Sequence, residues 1–124
     1  MKPGHFFPAL LWLLFITGLS VMPSVQLPKF DFFSADKLVH ALVYGVLTWL
    51  LLKGVRQSRG SAFSWKTSLM VLFFAIGYGV LMEFVQFAFI PGRYYEIDDM
   101  LANGVGCLLA WVGYRGWLGF KRTT

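Results

Sequence analysis

Charged residues are scarce in this sequence. Asp, Glu, Lys and Arg make up 14% of its 124 residues, whereas a soluble domain carries about 25%. So few charges cannot cover the surface of a soluble globular protein, and an apolar share of 57% excludes an intrinsically disordered chain. The composition predicts an integral membrane protein, and the length predicts one domain over residues 1–124.

Cysteine is nearly missing as well. The one cysteine, Cys107, excludes a disulfide framework within the chain and a metal cage built from cysteines. The sequence also has no HExxH motif of the kind that binds zinc on a helix. We therefore expect no metal and no cofactor.

What the sequence does contain is four apolar stretches, at residues 6–22, 38–52, 67–90 and 100–120. A spanning helix needs roughly 20 residues, and the short second stretch can be extended if Lys37 and Lys53 snorkel to the interfaces. The pattern predicts an all-α integral membrane bundle of four transmembrane helices. The first stretch is alternatively a cleaved signal peptide, because Gly18-Leu19-Ser20 is a passable cleavage site, but we expect an uncleaved helix.

The basic residues indicate the orientation of this bundle, since cytoplasmic loops carry an excess of Lys and Arg. With both termini in the cytoplasm, eight basic residues lie inside and three lie outside: Lys29, Lys37 and Arg93. Five of the six acids lie outside, and Glu83 is the exception. Because the net charge of +5 follows this topology, we expect no nucleic-acid partner.

Polar residues cluster at the outer ends of three predicted helices. Ionisable groups inside a membrane are costly and mark function by default, and unpaired polar groups cannot face hydrocarbon. We therefore expect the three polar faces to turn inward and meet. Their members are Asp36, Lys37, His40 and Tyr44 on the second helix, Glu83 and Gln86 on the third, and Asp99 and Asn103 on the fourth.

Two stripes of small residues favour close packing of the third and fourth helices. They are Ala75-xxx-Gly79 and Ala102-xxx-Gly106-xxx-Ala110. This packing would bring Glu83 near Asn103.

Each polar residue also has an interpretation without function. His40 alone is more often a satisfied core histidine, Asp99 can simply cap a helix, and Lys37 can be an interfacial anchor. Arg93 alone can anchor on lipid phosphate. Glu83 is the hardest to dismiss, because a buried carboxylate needs a partner or a proton.

These residues resemble a known family. Asp36-Lys37-xx-His40-xxx-Tyr44 is similar to the DKxxHxxxY stretch of VanZ-like membrane proteins, and the later segments Glu83-xx-Gln86, Pro91-Gly92-Arg93 and Asp99-xx-Ala102-Asn103-xx-Gly106 are similar to their ExxQ…PGR…DxxANxxG block. The motif-bearing part covers about residues 36–120. The resemblance implies a small multi-pass protein of the bacterial inner membrane. The family's namesake is associated with low-level resistance to teicoplanin, a lipidated glycopeptide that acts on the outer face of the membrane.

Three functions remain open from the sequence. In the first, an outward-facing polar pocket binds an anionic envelope lipid or a lipid-linked wall precursor. In the second, the protein is an enzyme on such a lipid, with His40 as general acid or base and Glu83 or Asp99 as its orienting carboxylate; the catalytic candidates are His40 and Glu83. In the third, the polar cluster locks the helices and function lies with a membrane protein partner. We favour binding over catalysis, and we expect membrane lipids as partners. The candidate binding residues are Asp36, Lys37, His40, Tyr44, Glu83, Gln86, Arg93, Asp99 and Asn103.

Overall fold

The computed structural model of the chain describes residues 3–21, 33–90 and 97–123. Within these ranges the chain is all helical, with four α-helices and no strand. They are α1 (Phe7–Val21), α2 (Phe33–Arg59), α3 (Trp65–Phe89) and α4 (Ile97–Thr123), and short 3-10 turns precede α1 and follow α2. The all-α prediction is confirmed.

The ends of α2 and α3 are set by local chemistry. After α2, Gly60 has a φ of +55°, a left-handed conformation that favours glycine at the end of a helix. Ser64 then caps α3, because its side chain accepts a hydrogen bond from the backbone N–H of Thr67 at 3.3 Å. These two residues place the turn between α2 and α3.

Helix α2 has 27 residues and is much longer than the apolar stretch 38–52 that predicted it. Hydropathy marks only the part of a helix that carries apolar side chains. The polar first and last turns of α2 continue the same backbone hydrogen bonding, so the helix extends beyond the stretch at both ends.

Three segments are long and apolar enough to cross a membrane: Gly4–Val21, Lys37–Arg59 and Trp65–Phe89. Helix α4 is as long as α2 but is not among them. Asp98, Asp99, Asn103 and Arg115 interrupt its apolar residues. Large apolar side chains such as Phe73, Phe84 and Leu109 are exposed on the bundle surface, which is the arrangement expected of helices in lipid.

Helices α2 and α4 form the most intimate pair of the bundle. A Cβ atom added at Gly106 of α4 would collide with the backbone of Ala41 of α2, lying 2.7 Å from its Cα. Gly45 faces the same seam, since its added Cβ would lie 3.3 Å from the carbonyl oxygen of Gly106 and 3.9 Å from the Cβ of Ala110. The small-residue stripe of α4 therefore packs on α2, and the prediction that it packs on α3 was wrong for Gly106 and Ala110.

Helix α3 completes the core by presenting one buried face. The buried positions recur at helical spacing, from Ser68 through Leu72, Ala75 and Gly79 to Glu83. Helix α1 packs beside α2 and α3: the indole Nε1 of Trp12 donates to the carbonyl of Val43 at 2.8 Å, and the hydroxyls of Thr17 and Tyr78 are hydrogen-bonded.

Candidate functional site

The polar residues of α2 lie one helical turn apart on the face that packs against α4. Lys37, His40 and Tyr44 follow one another along this face from the start of the helix inward. Lys37 and His40 are half-buried, and Tyr44 is buried. The face therefore begins at the open end of the bundle and runs into its core.

Lys37 forms an ion pair with Asp99 in the first turn of α4. The Lys37 side chain retains 20% exposure and the Asp99 side chain 10%. Burying a carboxylate to this extent is costly unless a cation or hydrogen-bond donors compensate it. The ion pair therefore fixes the start of α4 against the start of α2.

His40 lies between two residues of α4. Its Nδ1 is 3.2 Å from the Asn103 side-chain oxygen, and its Nε2 is 3.6 Å from the second carboxylate oxygen of Asp99. The imidazole is 27% exposed. A protonated His40 would add a second positive charge beside Asp99.

The side chains of Tyr44 and Asn103 pack against α3 at a glycine, Gly79. A Cβ added at Gly79 would lie 3.2 Å from the Tyr44 ring and 3.4 Å from the Cβ and amide nitrogen of Asn103. A side chain at this position would push α3 away from the seam. From the sequence, Gly79 was predicted only to be part of a packing stripe. Its position one helical turn before Glu83 was the signal that it borders the site.

Glu83 is the most deeply buried carboxylate of the described residues, with 3% exposure. It is close enough to Tyr44 to interact with it electrostatically. Gln86 follows on the same helix and is half-buried. The structure thus brings the polar faces of α2, α3 and α4 together at one end of the bundle.

Two contacts that the sequence did not reveal hold the backbone of Tyr44. The hydroxyl of Thr48 donates to the Tyr44 carbonyl at 2.9 Å, and the buried thiol of Cys107 donates to the same oxygen at 3.8 Å. Threonine back-bonding within a helix is common, so spacing alone did not single out Thr48.

Two of the candidate residues cannot be placed in this geometry. Arg93, with Pro91 and Gly92, lies outside the described residues. Asp36 belongs to α2, but its side chain is also outside the described part of the chain.

The charged and polar groups of the site differ in how exposed they are. Lys37 and His40 stand at its more open edge, whereas Asp99, Asn103 and Glu83 lie deeper. We call this set, with Tyr44, the polar site. Chemically, it offers cationic and hydrogen-bonding donors at its edge, and carboxylates behind them that orient those donors.

Comparison with known proteins supports the resemblance of the motifs. No curated protein and no solved structure matches the chain. The VanZ/LLP1 family matches residues 2–119, a range that begins well before the segment of about 36–120 that carries the motifs. This match covers nearly the whole chain, so the chain belongs to the VanZ/LLP1 family.

Proposed function

We propose that the polar site binds the phosphate head group of an anionic cell-envelope lipid, such as a polyprenyl phosphate or a lipid-linked wall precursor. The observation that carries the proposal is the graded exposure of the site. Lys37 and His40 are more exposed than Asp99 and Glu83, so an anion at the open edge reaches these two donors before the two carboxylates of the site, although the exposed Asp98 lies in the same first turn of α4 as Asp99. If Asp99 and Glu83 instead lay in front of Lys37, they would repel it.

The proposal places the protein in the bacterial inner membrane with four spanning helices and both termini in the cytoplasm. Helix α4 has 27 residues and is about 40 Å long, which is enough to cross the hydrocarbon core. The basic residues at the end of α2 and the start of α3 favour a cytoplasmic turn between these helices. In this orientation, the polar site faces outward.

The surroundings of the polar site suit the tail of a lipid. Exposed apolar side chains lie beside it on both helices of the seam: Leu38 and Leu42 on α2, Leu101 and Val105 on α4. A head group held by Lys37 would leave its hydrocarbon chain along these surfaces. We assign Arg93 as a second phosphate ligand, because a guanidinium fork matches phosphate geometry.

Binding can be tested with a matched pair of soluble isoprenoids, farnesyl phosphate and farnesol, added to the detergent-purified protein and measured by native mass spectrometry. We expect the phosphate form to bind about tenfold more tightly, a difference of about 1.4 kcal/mol. Equal binding of the two probes would contradict the proposal. Arg93→Ala should weaken the binding, and Arg93→Lys should restore only part of it.

The decisive variant removes both charges of the ion pair. Lys37→Gln with Asp99→Asn removes both charges of this pair together and keeps side chains of similar size, so the fold should persist while the binding of farnesyl phosphate is lost. Lys53→Gln, at the other end of α2, is the matched control and should bind normally. Unchanged binding in the double variant would refute the role of Lys37.

A structural role is the second candidate, and the direct contacts between α2 and α4 favour it. Lys37–Asp99 and His40–Asn103 would then only lock the helices for a protein partner. This alternative predicts no preference for the phosphate probe. Catalysis by His40 is less favoured, since both of its ring nitrogens face protein groups.

We extend the proposal to teicoplanin resistance, because binding of an envelope lipid at the outer surface would act where this antibiotic acts. A bacterium that expresses the unaltered chain should then be less susceptible to teicoplanin than one that expresses the double variant.

A further inference from the structure

A groove lies at the opposite end of the bundle from the polar site, between the start of α3 and the end of α4. Its volume is about 440 Å³. The residues that line it are Phe63, Ser64, Trp65, Arg115, Leu118 and Gly119. Three of them are large and apolar, and one is a cation, so the lining is amphiphilic.

Arg115 is held in a defined position at this groove. Its Nη1 donates to the Ser68 hydroxyl at 3.3 Å, and its guanidinium lies over the Trp111 ring, 5.2 Å from the centroid. The indole Nε1 of Trp111 donates to the same hydroxyl at 3.0 Å. Ser68 is fully buried, so it anchors both side chains.

No carboxylate of the described residues forms an ion pair with Arg115. The acids whose side chains the structure describes, Glu83, Asp98 and Asp99, all belong to the other end of α3 and α4. The groove end instead carries basic residues on three helices: Lys53, Arg56 and Arg59 on α2, Lys66 on α3, and Arg115 and Lys121 on α4. The charge there is complementary to an anion.

We propose that this groove binds an anionic phospholipid, with its phosphate on Arg115 and an acyl chain against Trp65 and Leu118. A guanidinium presents five N–H donors, and the Ser68 bond uses one nitrogen of the fork. Basic pockets between membrane helices recognise lipid head groups by this chemistry. The inference is independent of the polar site, because the groove lies at the other end of the bundle and involves different residues.

The test compares phosphatidylglycerol with phosphatidylcholine, each added to the detergent-purified full chain, with retained lipid measured by native mass spectrometry. We expect phosphatidylglycerol to be retained about tenfold more strongly. Gly119→Leu should abolish this preference, because its Cβ enters open space and the larger side chain occupies the groove that Gly119 lines. Gly116→Leu is the matched control: its Cβ also enters open space, but it does not line the groove, and it should retain the lipid.

Arg115→Gln should also lose the preference by removing the charge. If this variant does not fold, Gly119→Leu alone decides the question. The proposal is overturned if Gly119→Leu keeps the preference, if the two lipids bind equally, or if inorganic phosphate displaces phosphatidylglycerol and thereby marks a site for free phosphate. The Lys37→Gln, Asp99→Asn double variant should retain phosphatidylglycerol at the groove, so the two proposals can fail separately.

Discussion

Asp99 is the residue at which the polar faces of α2 and α4 converge. One of its carboxylate oxygens pairs with Lys37, and the other lies 3.6 Å from Nε2 of His40. Its neighbour Asp98 belongs to the same first turn but is exposed. Two adjacent acids of the same type therefore differ in burial, which makes Asp98 a matched control for Asp99.

Asp99→Asn should destabilise the protein by about 1–3 kcal/mol, because it removes the charge that compensates Lys37 in a partly buried pair. Asp98→Asn should change the free energy of unfolding by less than about 0.5 kcal/mol. Thermal unfolding in detergent measures both. Equal effects of the two substitutions would show that the ion pair contributes nothing particular to stability.

The members of the polar site were predictable from sequence because helical phase and depth already grouped them. Their pairing was less predictable. The sequence indicated that a buried Glu83 needs a partner or a proton, but choosing partners for the carboxylates requires the relative rotation of α2 and α4. That rotation is set by the contact of Ala41 with Gly106, which no charge pattern specifies.

At the scale of elements, the closest contact between α2 and α4 is at one glycine, Gly106. Gly106 and Gly104 lie in the same helix, but an added Cβ would collide with Ala41 at the first position and enter open space at the second. The backbones of the two helices are therefore in direct contact at Gly106, as small residues permit in membrane bundles.

Gly106→Ala should separate α2 from α4 and lower stability by about 1–3 kcal/mol or more, the cost of overpacking a tight contact. Gly104→Ala should be neutral, or stabilising by up to about 1 kcal/mol through helix propensity. Thermal unfolding and the monodispersity of the purified variants measure the difference. A stable, monodisperse Gly106→Ala protein would contradict the close contact.

The number of helices was readily predictable from hydropathy, but their lengths and neighbours were not. The length of helix α2 was underestimated, because a search for apolar stretches does not detect polar residues at the end of a helix, such as those from Lys53 to Arg59. The stripe around Gly106 correctly indicated close packing. It could not identify the partner, because both α2 and α3 carry small residues, at Gly45 and at Gly79.

For the whole molecule, the proposed topology gives a direct test by cysteine labelling in a Cys107→Ser background. Ser61→Cys lies in the turn between α2 and α3 and should be closed to an impermeant thiol reagent added to intact cells. Glu96→Cys should react, because the charge asymmetry places it outside. The reverse pattern would invert the orientation and place the polar site on the cytoplasmic face.

The pairing of α2 with α4 also has a consequence for biosynthesis. Lys37 and Asp99 are 62 residues apart, and α3 is made between them. At about 5–20 residues per second, the ribosome needs roughly 3–12 s to deliver Asp99 after Lys37. During this interval α2 lacks both Asp99 and the backbone surface of Gly106. The polar site is therefore completed only when the last helix has been made.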